Sequence, residues 1–429
     1  MRQMNYPNYH KQLISITMTH TGYSVILKSC AVIFSLLFCS ENIAAQGTVS
    51  DYIAVDTIIY YPDIRSSYNN SIISTQYGRD VVFLQYNTIK NQDTISIHCL
   101  NIDNYKDKRI TIVHRGIAQR MSELKYRDFS CVAFNEHTLA LAFDSIILLF
   151  KTNDKKTEYI FQKEISAPFS FSYMKFLDEN TLVLAKSYLN TNVTHSDVVI
   201  STLNITDGSS KNIFPYYNTP LLSIFRPVKY IDVNDNKIVF ANRNEYSFLI
   251  FDNQLSLSDT LSRALRKWNS LSKKDINNAL AYSNQPVDIM DIVRPHFIKG
   301  DALNWIYMID GEHIMTVCKH NLELEQPSTI DIWVHTEGQW NLRLKDIKDE
   351  EYSYISPSKR ITPNRLELNF MGRNSIVVFN DKIVKIDMYG TDIYPIGLTP
   401  KEYNKQNDEW LKHNKPYLRV IVYNHSFCR

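Results

Sequence analysis

The chain has 429 residues, of which 44% are hydrophobic and 21% charged, with a formal net charge of +2 at pH 7. This length suits one large repeat fold or a few ordinary domains, and the apolar content excludes wholesale disorder. Near-neutrality offers no large electrostatic term for nucleic acid or an anionic membrane surface, so neither is an expected partner. The 27 Tyr and 20 Phe, with recurrent Ile, Val and Thr, favour pleated, half-buried strands.

The N-terminus carries the first strong pattern. Lys28 precedes an apolar run from Cys30 to Cys39, followed by a short polar stretch ending Ala44-Ala45-Gln46. A positive flank, an apolar stretch of about ten residues and a small-residue cleavage site, in that order, make a secretory signal peptide. The run is too short to cross a hydrocarbon core, which takes about 20 residues of helix. The expected division is therefore a signal peptide at 1–45 and a single domain at 46–429, exported to the periplasm, the cell surface or the medium. Met18 is an alternative start, and Leu36-Leu37-Phe38-Cys39 offers a lipidation alternative at Cys39, although Phe38 is larger than the residue such a site takes. Segment 1–45 holds Arg2, Lys11 and Lys28 against Glu41, so the whole net charge lies there and the remainder balances.

Beyond that segment, an opening strand is expected over Tyr52 to Tyr61. Polar turns then introduce short apolar strands at Val81–Leu84, Leu139–Ala142, Leu182–Ala185, Ile238–Ala241, Trp305–Met308 and Ile376–Phe379. Partner strands follow at Ser145–Phe150, Asp197–Ile200, Phe248–Phe251 and Ile383–Ile386. The turns are rich in Asn and Asp, as in Asp178-Glu179-Asn180 and Asn234-Asp235-Asn236, whose side chains bond nearby backbone and tolerate left-handed φ. Two segments break the β pattern and predict short helices, at 261–282 and from the Thr399-Pro400-Lys401-Glu402 capping box to Lys412. The closing strand, Tyr417 to Tyr423, is placed to pair near the opening one and latch the chain.

Six such units, spaced roughly 40–70 residues apart, each accommodate a four-stranded sheet, which is a propeller blade. Their continuous apolar runs suit strands covered on both faces. The fold class is all-β: a six-bladed β-propeller with short helical insertions, with paired β-sandwiches as the alternative. On the N-terminal segment, the six hairpin units and stretches such as Lys237 to Asp252, the chain resembles exported bacterial six-bladed propellers of the NHL-like and TolB-like group. It departs from them in having only 11 glycines, so Asn and Asp must take positions that glycine fills there.

Chemical motifs are absent. There is no Gly-x-Ser-x-Gly elbow, no Gly-x-x-x-x-Gly-Lys and no Gly-x-Gly-x-x-Gly, although a Ser-His-Asp set assembled from distant positions leaves no local signature. The 12 histidines show no His-x-x-x-His pair. His313 and His320 bracket an apolar strand and are expected as strand-end polar residues rather than metal ligands. Asp346, Asp349, Glu350 and Glu351 lack EF-hand spacing and are expected in a solvated loop. Asp288 and Asp291 form a weak carboxylate pair of the kind glycoside hydrolysis uses. Trp333, His335 and Trp340 belong to one hairpin, as core aromatics or as a sugar- or peptide-contacting patch. Cys99, Cys131, Cys318 and Cys428 match no zinc spacing and are expected as free thiols, a Cys99–Cys131 bridge being the alternative. No catalytic or metal residue is identified and no cofactor is implied. The expected function is non-catalytic binding of a protein, peptide or glycan, with a hydrolase or lyase site at the propeller axis as the alternative.

Overall fold

The computed structural model describes residues 47–65, 73–86, 94–113, 131–143, 145–152, 159–186, 200–212, 230–242, 246–263, 301–320, 328–349, 375–389 and 417–428. The segment 1–45, Asp288, Asp291, Glu350, Glu351 and the helices expected beyond Arg263 and at 399–412 lie outside them. The described residues form strands β1 to β24 and one 3-10 turn, Val49–Asp51.

The opening strand is β1 (Ile53–Arg65). The first complete sheet is β2 (Ile73–Tyr77), β3 (Asp80–Tyr86), β4 (Thr94–Asn101) and β5 (Asp107–Val113). The second is β6 (Cys131–Phe134), β7 (Thr138–Phe143), β8 (Ile146–Thr152) and β9 (Tyr159–Ser166). The third is β10 (Phe171–Phe176), β11 (Thr181–Lys186), β12 (Ile200–Asn204) and β13 (Ser210–Asn212). The fourth is β14 (Ile231–Asn234), β15 (Lys237–Asn242), β16 (Ser247–Phe251) and β17 (Leu257–Ser262). The fifth is β18 (Ala302–Met308), β19 (His313–Lys319), β20 (Ser328–Thr336) and β21 (Gln339–Asp349). The sixth joins β22 (Ser375–Val378), β23 (Lys382–Tyr389) and β24 (Tyr417–His425) to β1, in the order β1-β24-β23-β22. All pairs are antiparallel, and the six sheets are the blades of a β-propeller rather than two sandwiches. Innermost strands β22, β2, β6, β10, β14 and β18 follow one another around the axis.

Six hydrophobic cores hold the ring, each shared by two adjacent blades. Side chains of a strand alternate between faces, so a blade strand must be apolar at consecutive positions to satisfy both neighbours. In β3, Val82 and Leu84 face the second blade, while Val81 and Phe83 face the sixth. In β7, Leu139, Leu141 and Phe143 face the first blade, and the small Ala140 and Ala142 face the third. The same division recurs at β11 (Leu182 and Leu184 against Val183 and Ala185) and β15 (Ile238 and Phe240 against Val239 and Ala241). Trp305, Tyr307, Met315 and Val317 of the fifth blade meet Val378, Ile383 and Ile421 of the sixth, which completes the circle.

The strand order corrects the unit boundaries expected from sequence. The runs at 81–84, 139–142, 182–185 and 238–241 are second strands, whereas 305–308 and 376–379 begin in the innermost strands β18 and β22. The two are confused because Trp305–Met308 and Val377–Phe379 are as fully buried as the second strands of other blades. Leu261, expected in a helix, belongs to β17, and Asp346 and Asp349 belong to β21 rather than a loop. The four cysteines are free, with Cys99, Cys131 and Cys318 buried.

Turns explain how so few glycines suffice. The β14–β15 hairpin turns through Asp235 and Asn236, both at positive φ (46° and 58°), and the β20–β21 hairpin through Glu337 and Gly338 (52° and 78°). Positive φ at both central residues gives the type I′ twist that two-residue hairpins favour. Asn and Asp thus replace glycine, as the sequence implied.

Closure is between the chain's opening and closing strands, as expected: β1 runs antiparallel to β24 from Ile53↔His425 to Arg65↔Tyr417. Polar clamps reinforce the seam between the sixth and first blades. The Arg79 guanidinium donates to both Asp381 oxygens (2.6 and 3.0 Å) and to Asp103 (2.6 Å). Lys382 Nζ donates to Asp56 (2.7 Å) and Tyr105 Oη (2.7 Å), and the Tyr105 hydroxyl itself donates to Asp56.

Two predictions follow from the cores and the seam. Leu141→Ala empties a fully buried site and should cost about 2–5 kcal/mol, read as a lower urea midpoint at unchanged slope. The Arg79 hydrogen bond lowers the Asp103 pKa; at Asp381 burial raises it, but Arg79 outweighs burial and leaves it below the ordinary 3.8. Hydrogen bonds from Lys382 and then Tyr105 lower Asp56 likewise. The stability these carboxylates contribute is complete above the unfolded value of 3.8 and is lost as pH falls through their lower folded values. Asp381→Asn should therefore flatten the loss of melting temperature below about pH 4, while an unaltered acid limb would show that the seam carries none of it.

Candidate functional site

In each blade the turn between the innermost and second strands falls at the same end of the ring. Six such turns converge there on a pocket of about 550 Å3. Its lining takes Gln76 to Arg79, Phe134 to His137, Lys175 to Glu179, Val233 to Asp235, Ile309 and Asp310, and Phe379 and Asn380, one group from every blade. The turns are short and polar, which lets them crowd the axis without burying unpaired backbone.

Hydrogen bonds pass from turn to turn. Asn135 Nδ2 donates to the Glu179 carbonyl (3.2 Å), and Asn234 Nδ2 to the Ile309 carbonyl (2.7 Å). The Gly311 amide donates to Asp235 Oδ2 (2.7 Å), and Lys237 Nζ to the Gly311 carbonyl (2.7 Å). Asp310 holds His313 Nδ1 at 2.9 Å. Burial tends to raise the Asp310 pKa, but His313 and the Glu312 and His313 amides outweigh it and bring the carboxyl below its usual range.

The lining is acidic. Glu136, Asp178, Glu179, Asp235 and Asp310 stand against Arg79 and Lys175. Arg79 is engaged by Asp103 and Asp381. Lys175 Nζ lies 3.3 Å from Asp232, which is almost fully buried on innermost strand β14. Asp232 also accepts from Tyr173 Oη (3.2 Å) and from the amides of Met308 (3.1 Å) and Val233 (2.9 Å), joining the innermost strands of three blades. With both cations so paired, the exposed Glu136, Asp178 and Glu179 set the sign of the field at the mouth.

A second polar assembly is buried between the fourth and fifth blades. Arg263, at the end of β17, lies 2.9 Å from Asp331 and 2.6 Å from Asp346. Tyr246 donates its hydroxyl to Asp331, and its oxygen receives the Trp333 indole N–H (3.1 Å). Burial pushes the Asp331 carboxyl up, opposed by Arg263 and Tyr246, and burial raises the Cys318 thiol beside it.

These positions settle the residues singled out in the sequence. Trp333 is a core aromatic, packed with Phe248 of the fourth blade at 5.6 Å between ring centroids. The hairpin is as expected, but Trp333 and the half-buried Trp340 do not form a shared exposed patch; Trp340 instead meets His335 at 5.1 Å. His313 and His320 flank β19 at opposite ends, roughly 20 Å apart, too far to share a metal ion. Asp346 is an ion-pair partner of Arg263. Among the described residues no group of three or more His, Cys, Asp or Glu is placed to hold a metal. The pocket residues went unrecognised because six turns far apart in sequence contribute to it. Their shared Asn and Asp content was visible only as turn chemistry.

No family model matches the chain, and no curated protein matches it. Solved structures do. A Bacteroides fragilis protein named for its expected export aligns over 88% of this chain and 97% of its own, at 12% identity and a TM-score of 0.50. A member of the DUF4221 family from Bacteroides vulgatus aligns over 87% and 99%, at 10% identity and a TM-score of 0.45. At these identities the likeness is one of fold.

Because Asp232 gathers four donors in a buried place, Asp232→Ala strands a lysine and an amide. It should cost about 3–5 kcal/mol by chemical denaturation, whereas Lys175→Met should cost less, since an apolar chain can occupy that position.

Proposed function

We propose that this protein acts outside the cytoplasm as a non-catalytic binding module, taking a positively charged segment of a peptide or protein into the acidic pocket at the propeller axis. The convergence of six rigid turns on a carboxylate-rich concavity of about 550 Å3 carries this reading. Turns fixed to one another by hydrogen bonds lose little freedom on binding, and their negative field favours cationic groups. The partly exposed Tyr77, Phe134 and Phe176 add apolar and aromatic surface on which a lysine or arginine side chain can lie.

Export is supported by the sequence of Lys28, the apolar run 30–39 and Ala44-Ala45. The similar Bacteroides fragilis protein, named for expected export, agrees with it. Cleavage would leave Gln46 as the first residue of a chain with balanced charge.

Two measurements test this. Protein recovered from the cell envelope or medium should begin at Gln46; a chain retained in the cytoplasm with residues 1–45 attached would refute export. In calorimetric titrations, lysine- and arginine-rich peptides should bind more weakly as salt rises, and Glu136→Lys with Glu179→Lys should weaken them about 10- to 100-fold. Equal binding of neutral oligosaccharides by the wild type and this double variant would replace the cationic reading with a glycan one.

A further inference from the structure

Two opposite walls of the axial pocket each carry a histidine beside a carboxylate. The order of the innermost strands sets the second and fifth blades across the axis from one another. On the second, the β6–β7 turn holds His137 Nε2 3.8 Å from Glu136 Oε2, and both side chains are well exposed. On the fifth, the β18–β19 turn holds His313 Nδ1 2.9 and 3.1 Å from the two oxygens of Asp310. Glu136, His137 and Asp310 line the pocket.

The charges around these imidazoles are of kinds that hold steady. Near His137 the lining contains Tyr77 and Arg79 of the first blade and Lys175, Asp178 and Glu179 of the third. Lys151 stands opposite Thr138 on the adjoining strand. Side-chain alternation turns His313, like Met315 and Val317, toward the sixth blade. Asp381, Arg343 and the Cys428 thiol lie on that side, and burial followed by Asp310 raises the thiol. Glu312 belongs to the same turn as His313, and Asp235 and Lys237 reach that turn from the fourth blade through Gly311. His335 of β20 faces the other way and packs on Trp340. Burial, then Asp80 and Glu179, raise the Tyr77 hydroxyl, so it stays neutral. Carboxylate, ammonium and guanidinium groups keep one charge from about pH 5 to about pH 8, whereas an imidazole does not.

Five carboxylates and two cations give the lining a formal charge of −3. Imidazolium at His137 and His313 brings the total to −1, with the added charges on both sides of the space a ligand enters. Each repels an incoming ammonium or guanidinium, and each competes with it for Glu136 or Asp310.

From this arrangement we infer that the axial pocket is a pH-gated cation receptor: neutral imidazoles let it hold a positively charged segment, and protonation of His137 and His313 releases that segment. The inference rests on the cationic reading of the pocket and adds its regulation. Binding is strongest above the range in which the histidines take up protons and weakens as pH falls through it. Outside the cytoplasm a protein meets the pH of its surroundings, so acidification unloads the pocket.

The test titrates the purified protein at fixed ionic strength with an acetylated, amidated arginine peptide, whose own charge does not change. Its Kd should be about 10-fold higher at about pH 5.5 than at about pH 8. The readout is this ratio, so a loss of affinity common to both conditions cancels. His137→Gln should cut the ratio to about 3, and His137→Gln with His313→Gln to about 1. In the wild type, added peptide should move the NMR titration midpoints of both rings to lower pH, the reciprocal of release by protons. A wild-type ratio near unity overturns the inference, as does a ratio that survives in the folded double variant or ring midpoints that ignore the peptide. A peptide that binds at neither pH overturns the cationic reading and the gating together; one that binds without regard to pH removes the gating alone.

Discussion

A single four-stranded sheet cannot shield either of its faces, and everything else in this molecule answers to that constraint. Each blade is apolar on both sides and gains its stability only between two neighbours. Because alternate side chains of one strand serve different cores, the interior is six wedges rather than one mass. Size is matched across a wedge as well as along a strand. Ala140 and Ala142 in β7 stand where Leu182 and Leu184 of β11 approach, so small residues on one blade admit large ones from the next.

Polar groups then fix what burial leaves undetermined. Hydrophobic cores would tolerate small slips between blades, but Asp232 accepting from Met308, Asn234 bridging to Ile309 and Arg79 spanning Asp103 and Asp381 each fit one register. The same turns that lock the blades line the axial concavity, so binding surface and ring stiffness come from one set of residues. Between the fourth and fifth blades, Asp331 is fully buried beside Arg263, which also pairs with Asp346.

Much of the architecture was legible in the sequence because its signal is local. Uninterrupted runs such as Leu139 to Ala142 and Ile238 to Ala241 require cover on both faces, and Asn-Asp turns marked their ends. The phase of the repeat was less legible: Trp305 to Met308 carries the apolar signature of a second strand in the innermost position. Loop and strand were confused at Asp346, whose charge is matched by Arg263, some eighty residues earlier and in another blade. The axial pocket was invisible for the same reason: the six turns around the axis form no motif in linear order, since strand pairing and blade packing alone bring them together.

The sixth blade takes its outermost strand from the beginning of the chain and the other three from its end. A ribosome therefore delivers β1 hundreds of residues before its partner β24, and the ring has no complete sixth member until the final strand emerges. Contacts so distant along the chain form slowly. A nascent polypeptide of this design stays open-ended throughout synthesis, and circular closure waits for the last strand to emerge.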